Sequence, residues 1–350
     1  MRFTIMHDMF RSFRLILNNG SNVLSSGGDA AMPSHQNIEN IHYRLFMDLS
    51  KILPDLQARI RDGPDAMQLL SEHLTTGRQA IIQQATHGVK IAIPDWLKNQ
   101  QPALDKYDKA KRGFRNEECG RLLCPANYDF NKPEVREALL NYDGKRYPVT
   151  AEQYPVFMWK DEKLQDKIWE GFGRHELLIK AGTMVLQGPK AALNVTTTGS
   201  NPIPAVSHSI NTKARSRRWH LKTITPAFIA CAAVLVRFAL SDETSFPAQP
   251  LNESIDEHRV AEVPKRRHRA RHWDYTKFHQ YLVHSIEEDM PEEEREDLLI
   301  WWKSRILGSS GGYTSDESIA GESSDGSNDQ DGPSVMSLLA AEGRQASICM

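Results

Sequence analysis

The chain has 350 residues, of which 40% are hydrophobic, 25% charged and 8% aromatic, and its formal net charge is -2. These fractions are ordinary for globular proteins and exclude a fully disordered, collagen-like or fibrous chain. A mean hydropathy of -0.52 excludes a polytopic membrane protein, and four cysteines are too few for a dense disulfide framework, which favours a reducing compartment.

Residues 1–35 are predicted to form a flexible N-terminal arm, because the glycine, serine and asparagine residues from Gly20 onward are costly to order without a core. The apolar and arginine residues that precede them weakly resemble a mitochondrial presequence, but Asp8 interrupts the pattern. This leader lacks the uninterrupted apolar segment of about seven residues that a secretory signal needs. We therefore expect a nuclear or cytoplasmic protein that is not secreted.

Residues 36–307 are predicted to form a single, mainly α-helical domain, since apolar residues recur every three or four positions and no alternating strand pattern or repeat is found. The first helix covers Ile38–Ile60, and Pro54 is expected to kink or divide it. Pro64 is typical of a first helical position and begins the next helix, for which Gly77 predicts a break.

A short helix is expected to follow and to stop near Gly88, before a brief β-branched stretch over Val89–Ile93 that favours extended backbone. Pro133 predicts the start of another helix, with Asn131 as its cap. Further along, Thr150 and Gln153 have the spacing of a capping box in front of the sequence YPVFMW.

Three helical segments are predicted in the rest of the domain. Glu176–Leu186 precedes a glycine and a proline that stop a helix. Pro226–Leu240 is the most apolar stretch, and because it is too short to span a bilayer and contains Arg237, we expect a central buried helix. Tyr275–Ile286 and Pro291–Leu307 are predicted to form an antiparallel pair.

The modest net charge hides a strong separation of charge. Between Glu287 and Asp297 there are eight carboxylates against one arginine, whereas residues 177–241 contain eight lysines and arginines and no carboxylate. Residues 308–350 are rich in Gly, Ser and Asp and are predicted to form a disordered acidic tail. This pattern indicates either a polyanionic partner or internal pairing of a basic face with an acidic one.

Two basic clusters are the candidate binding residues, and they fall in predicted loops near residues 190–222 and 246–272. The first cluster consists of Lys213, Arg215, Arg217, Arg218 and Lys222, and the second of Lys265, Arg266, Arg267, Arg269 and Arg271. Such clusters are typical of nuclear import signals and of patches that bind nucleic acid. The alternative is a pair of solvated linkers that the acidic segments neutralise. Trp219 either stacks on a base or anchors the helix that follows.

Several sequence pieces, in their order along the chain, resemble a fungal protein family of unknown function over residues 116–307. The pieces are GRLLCP (120–125), QYPVFMW (153–159), WEGFGRHELLIKA (169–181), TPAFIACAAVLVRFALS (225–241) and DLLIWW (297–302). The resemblance implies a helical domain without an assigned activity, cofactor or catalytic residue. The chain departs from the family pattern at Leu193–Arg218 and Phe246–Arg271, where its connections are longer and more basic.

No motif identifies catalytic chemistry, a cofactor or a metal site. Cys119 and Cys124 have no second cysteine pair to complete a zinc site, and we expect buried thiols. His175 and Glu176 are neighbours on a predicted helix and do not face each other. The chain also lacks the nucleophile elbow, the P-loop and the dinucleotide-binding glycine pattern.

The sequence thus favours a non-enzymatic binding protein whose basic loops contact a nuclear import receptor or nucleic acid, with no membrane association. One alternative is an intracellular enzyme with a site within Trp159–Lys180. Another is a scaffold that binds a protein partner through Trp301 and Trp302, of which one is expected to face the core because helical neighbours point about 100° apart.

Overall fold

The computed structural model describes residues 1–25, 38–61, 63–97, 103–165, 167–195, 214–246 and 273–308, all within one unit, Met1–Gly311. The structure is mainly α-helical, as predicted. Its α-helices are α1 (Arg2–Met6), α2 (Phe13–Ser25), α3 (Ile38–Ile52), α4 (Leu56–Arg61), α5 (Pro64–Trp96), α6 (Glu117–Leu123), α7 (Pro133–Leu140), α8 (Glu176–Gln187), α9 (Pro189–Leu193), α10 (Arg215–Arg218), α11 (Pro226–Leu240), α12 (Tyr275–His284) and α13 (Glu292–Ile306). In these ranges the only extended pairings are two isolated bridges, Pro125 with Pro155 and Trp159 with Phe172.

Helix α11 is the central element of the core. Every residue from Ala227 to Leu240 is buried, and the helix packs against α1, α5, α6, α8 and α12. Pro226 occupies its first position, and Thr225 caps it by accepting a hydrogen bond from the Phe228 N–H at 3.2 Å. A helix that is apolar on all sides must be surrounded by protein, and the prediction of a central buried helix is confirmed. In the described ranges, no helix is both long and apolar enough to cross a bilayer.

Helix α5 is one continuous helix of 33 residues, so the predicted break at Gly77, the stop near Gly88 and the extended stretch at Val89–Ile93 are wrong. A helical glycine costs about 1 kcal/mol relative to alanine. That cost is small beside the burial of Ile81 and of the β-branched residues further along, which pack against α8 and α11. At Gly88 a Cβ atom would lie 3.3 Å from the sulfur of Met184, so α5 and α8 approach closely there.

The N-terminal segment corrects the prediction of a flexible arm over residues 1–35. Helices α1 and α2 belong to the core, and the Thr225 hydroxyl donates a hydrogen bond to the Met6 carbonyl oxygen. The buried apolar residues of this segment are Phe3, Ile5, Met6, Met9, Phe10, Phe13, Ile16 and Leu17. Burial of each large side chain contributes about 1.5–3 kcal/mol, which offsets the entropy that made this segment look costly to order. The remainder of the predicted arm lies outside the described residues.

Most helix starts that involve proline are confirmed, while two predicted caps differ. The chain divides at Pro54 between α3 and α4, and Pro133 begins α7. The cap of α7 is Lys132 rather than Asn131, and it makes no side-chain capping bond. The Thr150 N–H does donate to the side chain of Gln153 at 3.3 Å, but only a three-residue 3₁₀ turn follows. Helices α8, α11, α12 and α13 begin and end within a few residues of the predicted positions.

Two buried cations terminate α11. The Lys109 ammonium donates to the carbonyl oxygens of Phe238 at 2.6 Å and Glu243 at 2.5 Å, and the Arg112 guanidinium donates to that of Ala239 at 2.7 Å. The last carbonyl groups of a helix lack partners within it and carry a partial negative charge. Lys109 and Arg112 therefore satisfy the C-terminal end of the most buried helix.

Candidate functional site

The described part of the first basic cluster lies around α10, next to the C-terminal end of α8. Arg218 and Lys222 are exposed, and Arg217 is half-buried. Lys213 and the whole second cluster, Lys265–Arg271, lie outside the described residues. The site can therefore be analysed from the first cluster and its surroundings.

Arg215 fixes α10 to the rest of the protein and differs from the other members of its cluster. Its guanidinium donates to the Val185 carbonyl oxygen at 2.6 Å and to the side chain of Gln84. Burial lowers the pKa of this guanidinium from its ordinary value. Gln187 adds a hydrogen bond of 2.9 Å to the hydroxyl of Ser216. Arg215 thus positions the segment and offers little charge to a partner.

Trp219 and the turn after α10 connect the cluster to α11. The indole of Trp219 is half-buried against the main core, which fits the role of an anchor for the helix that follows. His220 has a φ of 49°, in the left-handed region that a histidine rarely adopts. This turn keeps Arg218 and Lys222 at the surface while Leu221 is buried.

Two stretches of sequence without Asp or Glu pack together in the described part of the chain next to α10. Residues 177–241 have no Asp or Glu, and neither have residues 73–94 of α5. The fold brings the two stretches together, because α5 packs against α8 and α9 while α8 packs against α10. Lys190 on α9, which packs against the same helix α8 as α10 does, is also exposed. We call the cations of α9, α10 and the turn after α10, which are Lys190, Arg217, Arg218 and Lys222, the basic face.

The sequence analysis did not identify the second stretch without carboxylates, residues 73–94 of α5. The run without carboxylates in α5 is visible in the sequence, but its proximity to α10 depends on contacts such as Arg215 with Gln84, which are 131 residues apart. Lys190 was likewise not recognised as part of a cluster, because it stands alone in the sequence.

The acidic segment Glu287–Asp297 lies near the opposite end of α8. Its described ion pairs include Glu287 with Arg44 at 3.3 Å and Asp297 with Arg174 at 2.6 Å. Arg174 lies two residues before the start of α8, whereas α10 contacts the end of this helix, and twelve residues of α-helix span about 18 Å. Burial raises the pKa of Glu287 even though Arg44 is close. These contacts join the acidic segment to parts of the chain other than the basic face.

Within the region of the enzyme alternative, Trp159–Lys180, the structure places a network of charged side chains. Glu162 accepts a hydrogen bond from Nε2 of His175 at 3.0 Å and another from Arg121. These hydrogen bonds lower the pKa of Glu162 to about 2. Nδ1 of His175 accepts the Leu177 N–H at 3.2 Å and caps α8. Both ring nitrogens of His175 therefore already have partners, and the network stabilises structure.

Glu176 does not pair with the histidine beside it. His175 is buried, while Glu176 forms an ion pair with Lys180 one turn further along α8. The prediction that these neighbours face different directions is confirmed.

The described cysteines are buried thiols. Burial raises the pKa of Cys119, Cys124 and Cys231 to about 12, so each is protonated at neutral pH. Among the residues that the structure describes, no three His, Cys, Asp or Glu side chains are grouped so that they could hold a metal ion.

The two adjacent tryptophans of α13 face different environments, as predicted. Trp302 is fully buried, and its indole N–H donates to the Gly173 carbonyl oxygen at 2.8 Å. Trp301 is half-buried, and the guanidinium carbons of Arg305 and Arg174 lie 4.9 and 5.5 Å from its ring centroid. The chain thus already covers much of the Trp301 surface that the scaffold alternative requires.

Comparison with known proteins gives one result. The sequence model of a family described as "Family of unknown function (DUF6698)" matches residues 76–307. This range contains the whole stretch of residues 116–307 over which the five sequence pieces resemble a family. No curated protein and no solved structure matches the chain.

Proposed function

Because the chain belongs to the family of unknown function DUF6698, we propose its function from its own surface: it is a non-enzymatic protein that binds nucleic acid through the basic face. We also propose that this family is the fungal one that residues 116–307 resemble. The supporting observation is that two long stretches without carboxylates pack against each other beneath exposed cations.

The charge arrangement favours a polyanion over internal neutralisation. Arg218 and Lys222 are exposed, and residues 177–241 and 73–94, which include most of α8 and α5, contain no Asp or Glu. A phosphate backbone supplies a row of negative charges, and its binding releases counterions, which makes the affinity strongly dependent on salt. The sequence contains further cations, Lys213 and those of Lys265–Arg271, which lie outside the described residues.

The enzyme alternative has less support. His175 and Glu176, the residues of Trp159–Lys180 weighed as acid–base partners, have other contacts: His175 hydrogen-bonds the Glu162 carboxylate and the Leu177 N–H, and Glu176 pairs with Lys180. A binding role for the basic face needs no such reactive group.

We expect the full chain to bind a labelled oligonucleotide with an affinity that falls steeply as salt rises. The double substitution Arg218→Gln and Lys222→Gln should remove up to two phosphate contacts, because each contact contributes about 0.9 to the slope of log affinity against log salt. The slope should therefore fall by about 1–2 and the affinity by about tenfold near 0.1 M salt. Fluorescence anisotropy over a salt series measures both quantities.

The matched control is Lys145→Gln with Lys163→Gln, which removes the same charge from two exposed lysines outside the basic face. This control should leave the slope unchanged. A salt-independent affinity, or equal losses in the two double variants, contradicts the proposal.

A further inference from the structure

A small pocket lies where α11 ends, and it does not belong to the basic face. Its volume is about 120 Å³. Four aromatic and three charged side chains line it together with smaller residues: Phe114, Tyr142, Tyr147, Trp273, Arg237, Asp242 and Glu243. Neither the sequence motifs nor the family match assigns a role to this pocket.

Arg237 is the unusual residue of the pocket. Its side chain is only 5% exposed, and its guanidinium carbon lies 3.3 Å from the ring centroid of Trp273. Its Nε and Nη1 atoms are buried and have no hydrogen-bond partner among the described residues. The negative charge of Glu243 and the ring of Trp273 stabilise the guanidinium in part, but these two buried N–H groups still lack an acceptor within the described part of the chain. Burial accordingly lowers the pKa of Arg237 to about 10.

The pocket also presents two carboxylates. Asp242 accepts a hydrogen bond from the hydroxyl of Tyr142 at 3.0 Å, and Glu243 accepts one from the Trp273 N–H at 3.2 Å. The second carboxylate oxygen of Glu243 is buried without a partner in the described ranges. A simple anion at Arg237 would be repelled by these carboxylates, and a simple cation would leave Arg237 without an acceptor.

A ligand that carries one negative and one positive group supplies an acceptor for Arg237 and a cation for Asp242 and Glu243. A cavity of about 150 Å³ accommodates a six-carbon ring, so a pocket of this size accepts a molecule of about six non-hydrogen atoms. We propose that it binds a small zwitterionic α-amino acid, such as glycine, alanine or serine. The α-carboxylate pairs with Arg237, and the ammonium group lies toward Asp242 and Glu243 among aromatic rings that favour a cation.

The test uses the full chain and three ligands: alanine, propionate, which lacks the ammonium group, and ethylamine, which lacks the carboxylate. Calorimetric titration should show that alanine binds at least about tenfold more tightly than either of the others. Alanine should also raise the thermal unfolding temperature, because it binds the folded state.

The substitution Asp242→Asn keeps an acceptor for Tyr142 but removes the charge that attracts the ammonium group. It should weaken alanine binding about tenfold, while the control Asp161→Asn, at an exposed carboxylate outside the pocket, should not. Equal affinities for alanine and propionate, or an unchanged affinity in Asp242→Asn, overturn the proposal. If the folded chain binds no alanine at millimolar concentrations, the pocket holds water only and the proposal also fails.

The variant with Arg218→Gln and Lys222→Gln should bind alanine normally, which separates this test from that of nucleic-acid binding.

Discussion

Glu162 shows how one carboxylate fixes several distant parts of the chain. It has a φ of 56°, in the left-handed region, and it bonds both Arg121 from α6 and His175 at the start of α8. A non-glycine residue tolerates this backbone conformation only when its surroundings stabilise it. The hydrogen bonds of Glu162 therefore position α8 relative to α6.

We expect Glu162→Gln to lower the free energy of unfolding at pH 7 by about 1–2 kcal/mol, allowing for the partial exposure of the carboxylate. The pKa of Glu162 is depressed in the folded state to about 2, from an ordinary value of 4.5. Its stabilising effect is thus complete above pH 4.5 and decreases as the pH falls toward 2. Urea unfolding of both proteins at pH 7, 5 and 3 measures this difference.

The control for this experiment is Glu170→Gln, which changes an exposed carboxylate nearby. Its effect on the free energy of unfolding should stay small at each pH. If the difference in free energy of unfolding between Glu162→Gln and the unmodified chain does not decrease at pH 3, the stabilising role of the ionised Glu162 is contradicted.

At the residue scale, the sequence predicted which side chains are basic but not how they are used. Arg215 and Arg218 stand three residues apart in one cluster, yet the first is bound by Val185 and Gln84 and the second is exposed. Arg237 was recognised only as a charge within an apolar helix. Its pocket depends on Asp242 and on Trp273, which is 36 residues further along the chain, and local patterns do not reveal such contacts.

At the scale of elements, proline at helix starts was a reliable guide, whereas glycine and two of the predicted caps were not. Thr225 with Pro226 and the division at Pro54 act through local backbone geometry, which a sequence displays directly. The effect of Gly77 depends on whether tertiary packing stabilises its helix by more than a helical glycine costs. Helix α5 is stabilised by packing against α8 and α11, which lie far away in the sequence, so no local pattern predicted its length.

Two glycine substitutions in helices should have opposite effects. Nothing lies within 4 Å of a Cβ atom at Gly77, so Gly77→Ala should stabilise the protein by up to about 1 kcal/mol through helix propensity. At Gly182 the same atom would lie 2.8 Å from the Trp302 ring and 2.9 Å from Ile306, so Gly182→Ala should destabilise by about 1–3 kcal/mol. Thermal unfolding of the two variants measures both shifts. Shifts of the same sign would contradict this account of α5 or of the contact between α8 and α13.

At the scale of the whole molecule, the fold determines which charged segments lie near each other. The fold separates the basic face from the acidic segment Glu287–Asp297, which is engaged with Arg44 and Arg174. Composition alone showed that the charges are separated along the chain. It did not show whether the fold would bring the opposite charges together, since that depends on which end of α8 each segment contacts.

The remaining proposal for the whole chain is nuclear import through Lys265–Arg271. Five cations within seven residues attract an acidic receptor groove. We expect the tagged full chain to accumulate in the nucleus and a variant with all five changed to Gln to move to the cytosol, as measured by microscopy. The variant with Arg218→Gln and Lys222→Gln should stay nuclear. An unchanged distribution of the five-residue variant would refute import by this segment.

The packing of the N-terminal helices against α11 has a consequence for biosynthesis. The bond between Thr225 and Met6 joins residues 219 positions apart. At about 5–20 residues per second, a ribosome needs roughly 10–40 s to make the intervening chain. During that interval Ile5 and Met6, which share a buried cluster with α11 in the folded chain, lack this helix as a neighbour, and we expect a chaperone to bind this stretch until translation reaches the central helix.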